Sequence, residues 1–182
     1  MQLTLAGLPV SGTAPAPQDL TSASDEFYTP RSIRDCLPLI DLDPCSPSHR
    51  PIDAGRHYVG SEGQDGLALD WHGVVFCNPP YSRGSIERWT AKAAAEVEAG
   101  RARAVIGLLP SRTDCGYWWR SIWGRARVGF LRSRLRFEDA TGAATPTAGT
   151  FGSVFVLWGA DPGLDELRRK LAEAGLVVHW TT

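Results

Sequence analysis

The chain lacks a Cys-x-x-Cys pair; Cys36, Cys45, Cys77 and Cys115 are scattered along it. That distribution suggests neither a zinc site nor a disulfide framework, and it fits a reducing cytoplasm. The histidines show no spacing with a second ligand, so no metal is expected. There is no run of about 18 apolar residues to span a membrane, and no basic region precedes the short apolar stretch at the amino terminus. A soluble, cytoplasmic protein with no membrane partner is expected. Marked charge is missing as well: the formal net charge of −1 argues against a surface that is basic throughout. No internal repeat is visible. Before Asp19 there is no charged residue, and residues 1–23 are rich in Ala, Pro, Ser and Thr, the composition of a flexible leader rather than of a core.

What is present is a chain of 182 residues, 43% hydrophobic with seven Trp, long enough for one domain over residues 24–182 with a substantial core. Its most informative stretch is Gly73-Val74-Val75-Phe76-Cys77-Asn78-Pro79-Pro80-Tyr81. Val74 to Cys77 carry no charge and are rich in β-branched and aromatic side chains, which suits a strand buried on both faces of a parallel sheet. Pro79 and Pro80 cannot donate to a ladder, so the strand stops and Asn78 is delivered just past its carboxyl end. Open α/β sheets bind their ligands at that edge.

Methylation of an exocyclic amino group on a planar ring needs such an arrangement. The lone pair of an aromatic amine is delocalised, and two acceptors holding its two hydrogens favour a more tetrahedral nitrogen. Asn78 Oδ1 and the Pro79 carbonyl are the candidate acceptors; proline aims its carbonyl through a fixed φ and brings no competing N–H. Tyr81 is expected against the face of the base, where stacking contributes about 1–3 kcal/mol. A tight turn carrying a surface tyrosine is the plainer alternative.

Asn78-Pro79-Pro80-Tyr81 matches the catalytic motif of amino methyltransferases. Asp25-Glu26-Phe27-Tyr28-Thr29-Pro30, Leu42-Asp43-Pro44-Cys45-Ser46, Asp65-Gly66-Leu67-Ala68-Leu69-Asp70-Trp71 and Leu109-Pro110-Ser111-Arg112-Thr113-Asp114 accompany it in order. With these motifs, residues 24–158 resemble the phage-encoded, Dam-like DNA N6-adenine methyltransferase family. The resemblance implies an α/β fold of class I, a Rossmann-like sheet closed by an antiparallel edge hairpin in a single domain. It implies S-adenosylmethionine as cofactor and DNA as partner. The target adenine would be flipped out of the duplex.

The resemblance also implies site roles. Tyr28, Thr29 and Pro30 would close over the cofactor, although by residue type a contact beneath a first helix, with Thr29 as cap and Pro30 at its first position, fits equally. Asp43, with Cys45 in the turn behind it, would pair with the methionine ammonium; helix capping is the alternative. Where a Gly-x-Gly turn is usual, this chain has Pro44-Cys45-Ser46-Pro47. Asp53 and Glu62 are the two candidates for the ribose hydroxyls. Asp65 would accept from the cofactor adenine, with Gly66 beside it and Leu67 packed on the ring, against the alternative of an exposed turn aspartate.

Between Arg101 and Arg136 lie nine arginines and one acid, Asp114, a pattern that suits a polyanion. Arg112 is a candidate for a phosphate or the target pocket, with a salt bridge to Asp114 as its rival. Residues 128–137 alternate in part and are expected as a strand whose Arg132, Arg134 and Arg136 face DNA, unless they solvate an edge strand. Glu138 to Thr150 reads as a mobile loop that would carry base reading, since no separate recognition domain exists and specificity is expected to be lax. Helices are expected from Ser85 to Gly100 and from Asp161 to Gly175, and the density of Tyr117, Trp118, Trp119 and Trp123 suggests core packing before a stacking platform. Two other functions compete: an N4-cytosine methyltransferase, and a non-catalytic DNA-binding module on a degenerate methyltransferase fold. A C5-cytosine enzyme, for which Pro44-Cys45 formally supplies the dipeptide, does not fit the surrounding pattern.

Overall fold

In the computed structural model, which describes residues 27–139, 141–146 and 148–181, seven segments pair into one sheet. The expected leader, the domain start near Ser24 and the Asp25-Glu26 pair lie outside the described residues. The strands are β1 (Ile40–Ser46), β2 (Ala54–Val59), β3 (Gly73–Cys77), β4 (Ala102–Pro110), β5 (Arg127–Leu131), β6 (Ser153–Gly159) and β7 (Val178–Trp180), in the order β2-β1-β3-β4-β6-β5-β7. β2, β1, β3 and β4 are mutually parallel, while β6, β5 and β7 add antiparallel pairs. The result is one α/β domain with a parallel core and an antiparallel end. Its strand order reverses between β1 and β3, and that is the place where an open sheet leaves a crevice at its carboxyl edge.

The central strands are apolar on both faces because both are covered. Val74, Val75, Phe76 and Cys77 are buried, as are Ala104, Val105, Ile106, Leu108 and Leu109 on β4 and the run from Val154 to Trp158 on β6. The α-helices among the described residues are α1 (Arg31–Arg34), α2 (Ser85–Glu98) and α3 (Leu164–Glu173). α2 turns Ile86, Trp89 and Ala93 to the sheet and is followed by Gly100 at φ 70°. α3 does the same with Leu164, Leu167 and Leu171. No helix among the described residues is long and apolar enough to cross a membrane.

Several boundaries differ from expectation. Ser85 is the first residue of α2 rather than its cap; Gly84 holds that position at φ 83°, and the Ser82 carbonyl accepts from the Ser85 and Ile86 N–H groups. α3 starts later than expected, at Leu164 with Gly163 in the cap position at φ 108°, and Asp161 sits two residues ahead of that cap, accepting from the Gly163 and Leu164 N–H groups at 2.8 and 2.7 Å. β5 stops at Leu131, so the arginines from 132 to 136 are not on a strand. The loop from 138 to 150 folds on its own stem: Asp139 Oδ1 accepts from Thr141 and Ala143, and the Thr145 and Gly149 N–H groups donate to Phe137 and Leu135. Tyr117 and Trp118 are core, whereas Trp119, on a single π-helical turn, and Trp123, in extended backbone just after it, are 58% and 57% exposed.

Beneath α2 the Glu96 side chain is fully buried and fully partnered. It accepts from Arg101 Nε at 2.7 Å, Arg101 Nη2 at 2.9 Å and the Trp71 N–H at 3.2 Å, and pairs with Lys92 Nζ at 2.6 Å. Arg101 first, then Lys92 and Trp71, hold its carboxyl down at about 2 against an ordinary 4.5. A carboxyl depressed in the folded state stabilises fully above its unfolded pKa and loses that contribution as pH falls through the folded one. Glu96→Gln is therefore expected to lower the unfolding free energy by about 2–3 kcal/mol at pH 7 and by almost nothing near pH 2, as read from urea denaturation at the two pH values.

Candidate active site

The loops leaving β1, β2 and β3 at the carboxyl edge enclose a cavity of about 710 Å³, within the range of about 300–1,000 Å³ usual for small-molecule sites. Asp43, Pro44 and Cys45 line it from β1, Ser61 and Gln64 from beyond β2, Asn78, Pro79 and Pro80 from beyond β3, and Tyr28 and Thr29 from the segment before α1. Asp65 and Gly66 complete the wall. The expected catalytic and cofactor residues thus share one space, with three exceptions: Pro30, Leu67 and Tyr81 are not part of its lining.

Asn78 is held by its own amide. Nδ2 donates to the Phe27 carbonyl at 2.6 Å and to Thr29 Oγ1 at 3.0 Å, which spends both N–H bonds. Oδ1 accepts from the Tyr81 hydroxyl at 2.6 Å, and an amide oxygen keeps a second lone pair for another donor. Thr29 is therefore a partner of Asn78 rather than the cap of α1. That role falls to Glu138, whose Oε1 accepts from the Arg31 N–H at 2.7 Å while Oε2 pairs with Arg34 at 2.7 Å.

Tyr81 is not the surface tyrosine of the plainer alternative. It is 2% exposed, and its ring is stacked on Phe27, with centroids 5.3 Å apart and planes at 20°. Its hydroxyl also reaches the Leu108 carbonyl at 3.0 Å. Burial, with Cys45 and Cys77 nearby, pushes the phenol well above its ordinary pKa, so it remains a hydrogen-bond donor.

Asp43 is 3% exposed, and no cation pairs with it among the described residues. Burial raises its carboxyl to about 6; hydrogen bonds from the Ser46 hydroxyl and the Cys45 N–H offset part of that rise. The charge of His57, its neighbour on β2, offsets a little more, and a buried carboxylate on a cavity wall without an ion pair attracts a cation. Behind it the Cys45 and Cys77 sulfurs lie 3.7 Å apart. That hydrogen bond and burial push the Cys45 thiol well above its ordinary pKa, which leaves it a poor nucleophile.

The opposite wall depends on Gly66. A Cβ there would lie 1.8 Å from the Pro44 carbonyl oxygen and 3.1 Å from the Trp89 ring, and the Gly66 carbonyl accepts from Trp71 Nε1 at 2.8 Å. Asp65 both faces the cavity and accepts from its own Leu67 N–H at 2.9 Å, the turn expected of an exposed aspartate. Neither ribose candidate is on the lining. Glu62 pairs with Arg50 at 2.6 Å, and Asp53 is exposed away from the cavity. Ser61 and Gln64 stand there instead, and nothing in their residue type marked them beforehand.

A lined cavity of this kind fits many chemistries, and the family comparison narrows them. Residues 17–165 match the model of the family described as DNA N-6-adenine-methyltransferase (Dam). The chain belongs to the Dam family. No curated protein and no solved structure matches it. For a Dam-family chain the arginines matter next. Four of the nine between 101 and 136 are neutralised locally: Arg101 by Glu96, Arg120 by Glu87, Arg125 by Glu98 and Arg127 by Asp161. Arg112, Arg132, Arg134 and Arg136 have no ion pair among the described residues and are exposed where the chain leaves β4 and β5, on the same edge as Asn78. Arg112 lies 3.3 Å from the Tyr81 carbonyl and over the Phe151 ring rather than against Asp114.

Two stability measurements test this geometry. A carboxyl raised in the folded state stabilises below its unfolded pKa and loses that contribution as pH rises through the folded one. Asp43→Asn, which mimics the protonated form, is expected to raise the unfolding free energy by about 3 kcal/mol at pH 7 and to leave it nearly unchanged at pH 4. Gly66→Ala is expected to lower it by about 1–3 kcal/mol at either pH, because the loop must move off Pro44; both are read by chemical denaturation.

Proposed function

We propose that the chain transfers a methyl group from S-adenosylmethionine to N6 of an adenine flipped out of DNA. The observation that carries this reading is that Asn78, with both its N–H bonds spent, presents its oxygen beside a cavity that also holds the uncompensated carboxyl of Asp43.

The residues present fit that cofactor. Asp43 would hold the methionine ammonium, Asp65 would accept from the adenine amino group, and Tyr28, Thr29, Cys45 and Gly66 would form the surrounding walls. Ser61 and Gln64 are the polar groups beyond β2 available to the ribose hydroxyls. Bound there, the cofactor supplies a methyl group on a sulfonium, already activated for displacement. Pro30 and Leu67 act at one remove, by shaping the backbone of the lining residues.

Asn78 Oδ1 and the Pro79 carbonyl accept the two hydrogens of the target amine, which localises its lone pair toward the methyl group. In the transfer the N–C bond would form as the donor's S–C bond breaks, and the nitrogen would then lose a proton to water, so no general base is assigned among the residues present. Most of the acceleration is positioning and fixed dipoles. Asn78 is recessed, so a base within a duplex must leave its stack at a cost of a few kcal/mol. Arg112, Arg132, Arg134 and Arg136 would contact the phosphates, which position the duplex without specifying sequence.

Incubation with labelled S-adenosylmethionine and unmethylated DNA, followed by nucleoside analysis, is expected to yield N6-methyladenine; N4-methylcytosine would overturn the assignment of the base. Asn78→Ala is expected to lower turnover at least a hundredfold while the fold survives, as read by circular dichroism, and near-normal turnover would sink the mechanism. Because the ammonium needs the ionised carboxylate, which is raised to about 6, cofactor affinity by calorimetry is expected to fall about fivefold between pH 6 and pH 5, a dependence that Asp43→Asn removes along with most of the affinity.

A further inference from the structure

Two of the three groups that hold the Asn78 amide are hydroxyls, and a hydroxyl accepts as readily as it donates. The Tyr81 hydroxyl has one proton and two acceptors within reach, Asn78 Oδ1 at 2.6 Å and the Leu108 carbonyl at 3.0 Å. With that proton on Leu108, its oxygen would take an N–H from a reversed amide, so Tyr81 does not decide which end of Asn78 is offered to the cavity. Thr29 Oγ1 is two-sided in the same way. The Phe27 carbonyl is not: it only accepts, and it takes Nδ2 at 2.6 Å. The orientation of the amide therefore rests on where that carbonyl is held.

Its own segment is a weak support. α1, which follows, is a single turn of four residues whose N-cap residue, Pro30, supplies no side-chain cap, too short to stand by itself. Glu138 holds the segment from outside. Its N–H donates to the Tyr28 carbonyl at 3.0 Å and its carbonyl accepts from the Tyr28 N–H at 3.4 Å, and Tyr28 lies between the two residues that take Nδ2. Its carboxylate accepts from the Arg31 N–H and pairs with Arg34, both at 2.7 Å, and Arg34 donates onward to the Pro51 carbonyl at 3.3 Å. The Glu138 side chain is 11% exposed and is not on the cavity lining. We propose that Glu138 is the positioning residue for Asn78: it keeps the Phe27 carbonyl where only an N–H satisfies it, and so turns the amide oxygen toward the cavity. The inference deepens the methyltransferase reading, on which its effect on turnover rests; its effect on the amide does not need that reading.

The test is solvent exchange of the Asn78 side-chain amide protons, identified in nitrogen-15 NMR spectra by their loss in Asn78→Ala. In Glu138→Ala their exchange is expected to rise about tenfold, while the buried Trp71 Nε1–H, bonded to the Gly66 carbonyl, keeps its wild-type rate. Glu138→Gln, which retains an oxygen for the Arg31 N–H and loses the Arg34 pair, is expected to fall between the two, and it carries the test if Glu138→Ala does not fold. An unchanged Asn78 rate, or an equal rise at Trp71 that would mark general loosening, overturns the proposal. In the methylation assay Glu138→Ala is expected to lower kcat about tenfold, with partial rescue in Glu138→Gln; normal kcat beside an active wild type likewise overturns it. A wild type that methylates nothing still shows the exchange difference, so failure of the methyltransferase reading and failure of the positioning role are told apart.

Discussion

The Asn78 carboxamide is the interaction on which the rest of the site depends. Its nitrogen grips the segment before α1 through Phe27 and Thr29, and its oxygen takes the Tyr81 hydroxyl. One side chain therefore joins the end of β3, the segment that walls the cavity and an aromatic ring packed under β4. Because an amide has distinct donor and acceptor ends, spending the donors on protein groups determines which end is offered outward. Glu138 then ties the same segment to the loop after β5, so the antiparallel end of the sheet supports the site as well.

Two residues shape the wall of the cavity. Asp43 is kept in a buried position that favours its neutral form, a local cost to stability near neutral pH and a reserve of attraction for a cation. Gly66 lets one loop lie directly on the Pro44 carbonyl. This also accounts for the missing Gly-x-Gly after β1. The close approach of backbone to backbone is achieved on the facing loop, so the β1 turn itself can consist of Pro44-Cys45-Ser46-Pro47.

Local signals with short-range causes were legible. Apolar runs became β3, β4 and β6 because a run without charge has nowhere to go but between two layers. The stripes on α2 and α3 became their buried faces, and Gly100 and Gly175 follow them in the left-handed conformation expected of helix stops. Boundaries set by distant partners were not legible. Thr29 resembled a cap, but Asn78 takes its hydroxyl and Glu138, over a hundred residues away, does the capping. The alternation of residues 132 to 136 suggested a longer β5, yet that stretch leaves the sheet at Leu131 and only the burial of Leu135 and Phe137 keeps the pattern. The arginine count implied one basic face, whereas acids on α2 and before α3 neutralise part of it.

By itself the sequence determined the class of fold and the strand whose end carries Asn-Pro-Pro-Tyr, with the residues to be looked for around it, because periodicity and proline chemistry act over a few residues. Only the tertiary structure decided which of those residues share a cavity, which way the Asn78 amide points, that Glu62 turns to Arg50 and that Phe27 covers Tyr81. Each of these is a choice among partners far apart in the chain, and packing and hydrogen-bond saturation make that choice after the chain has folded.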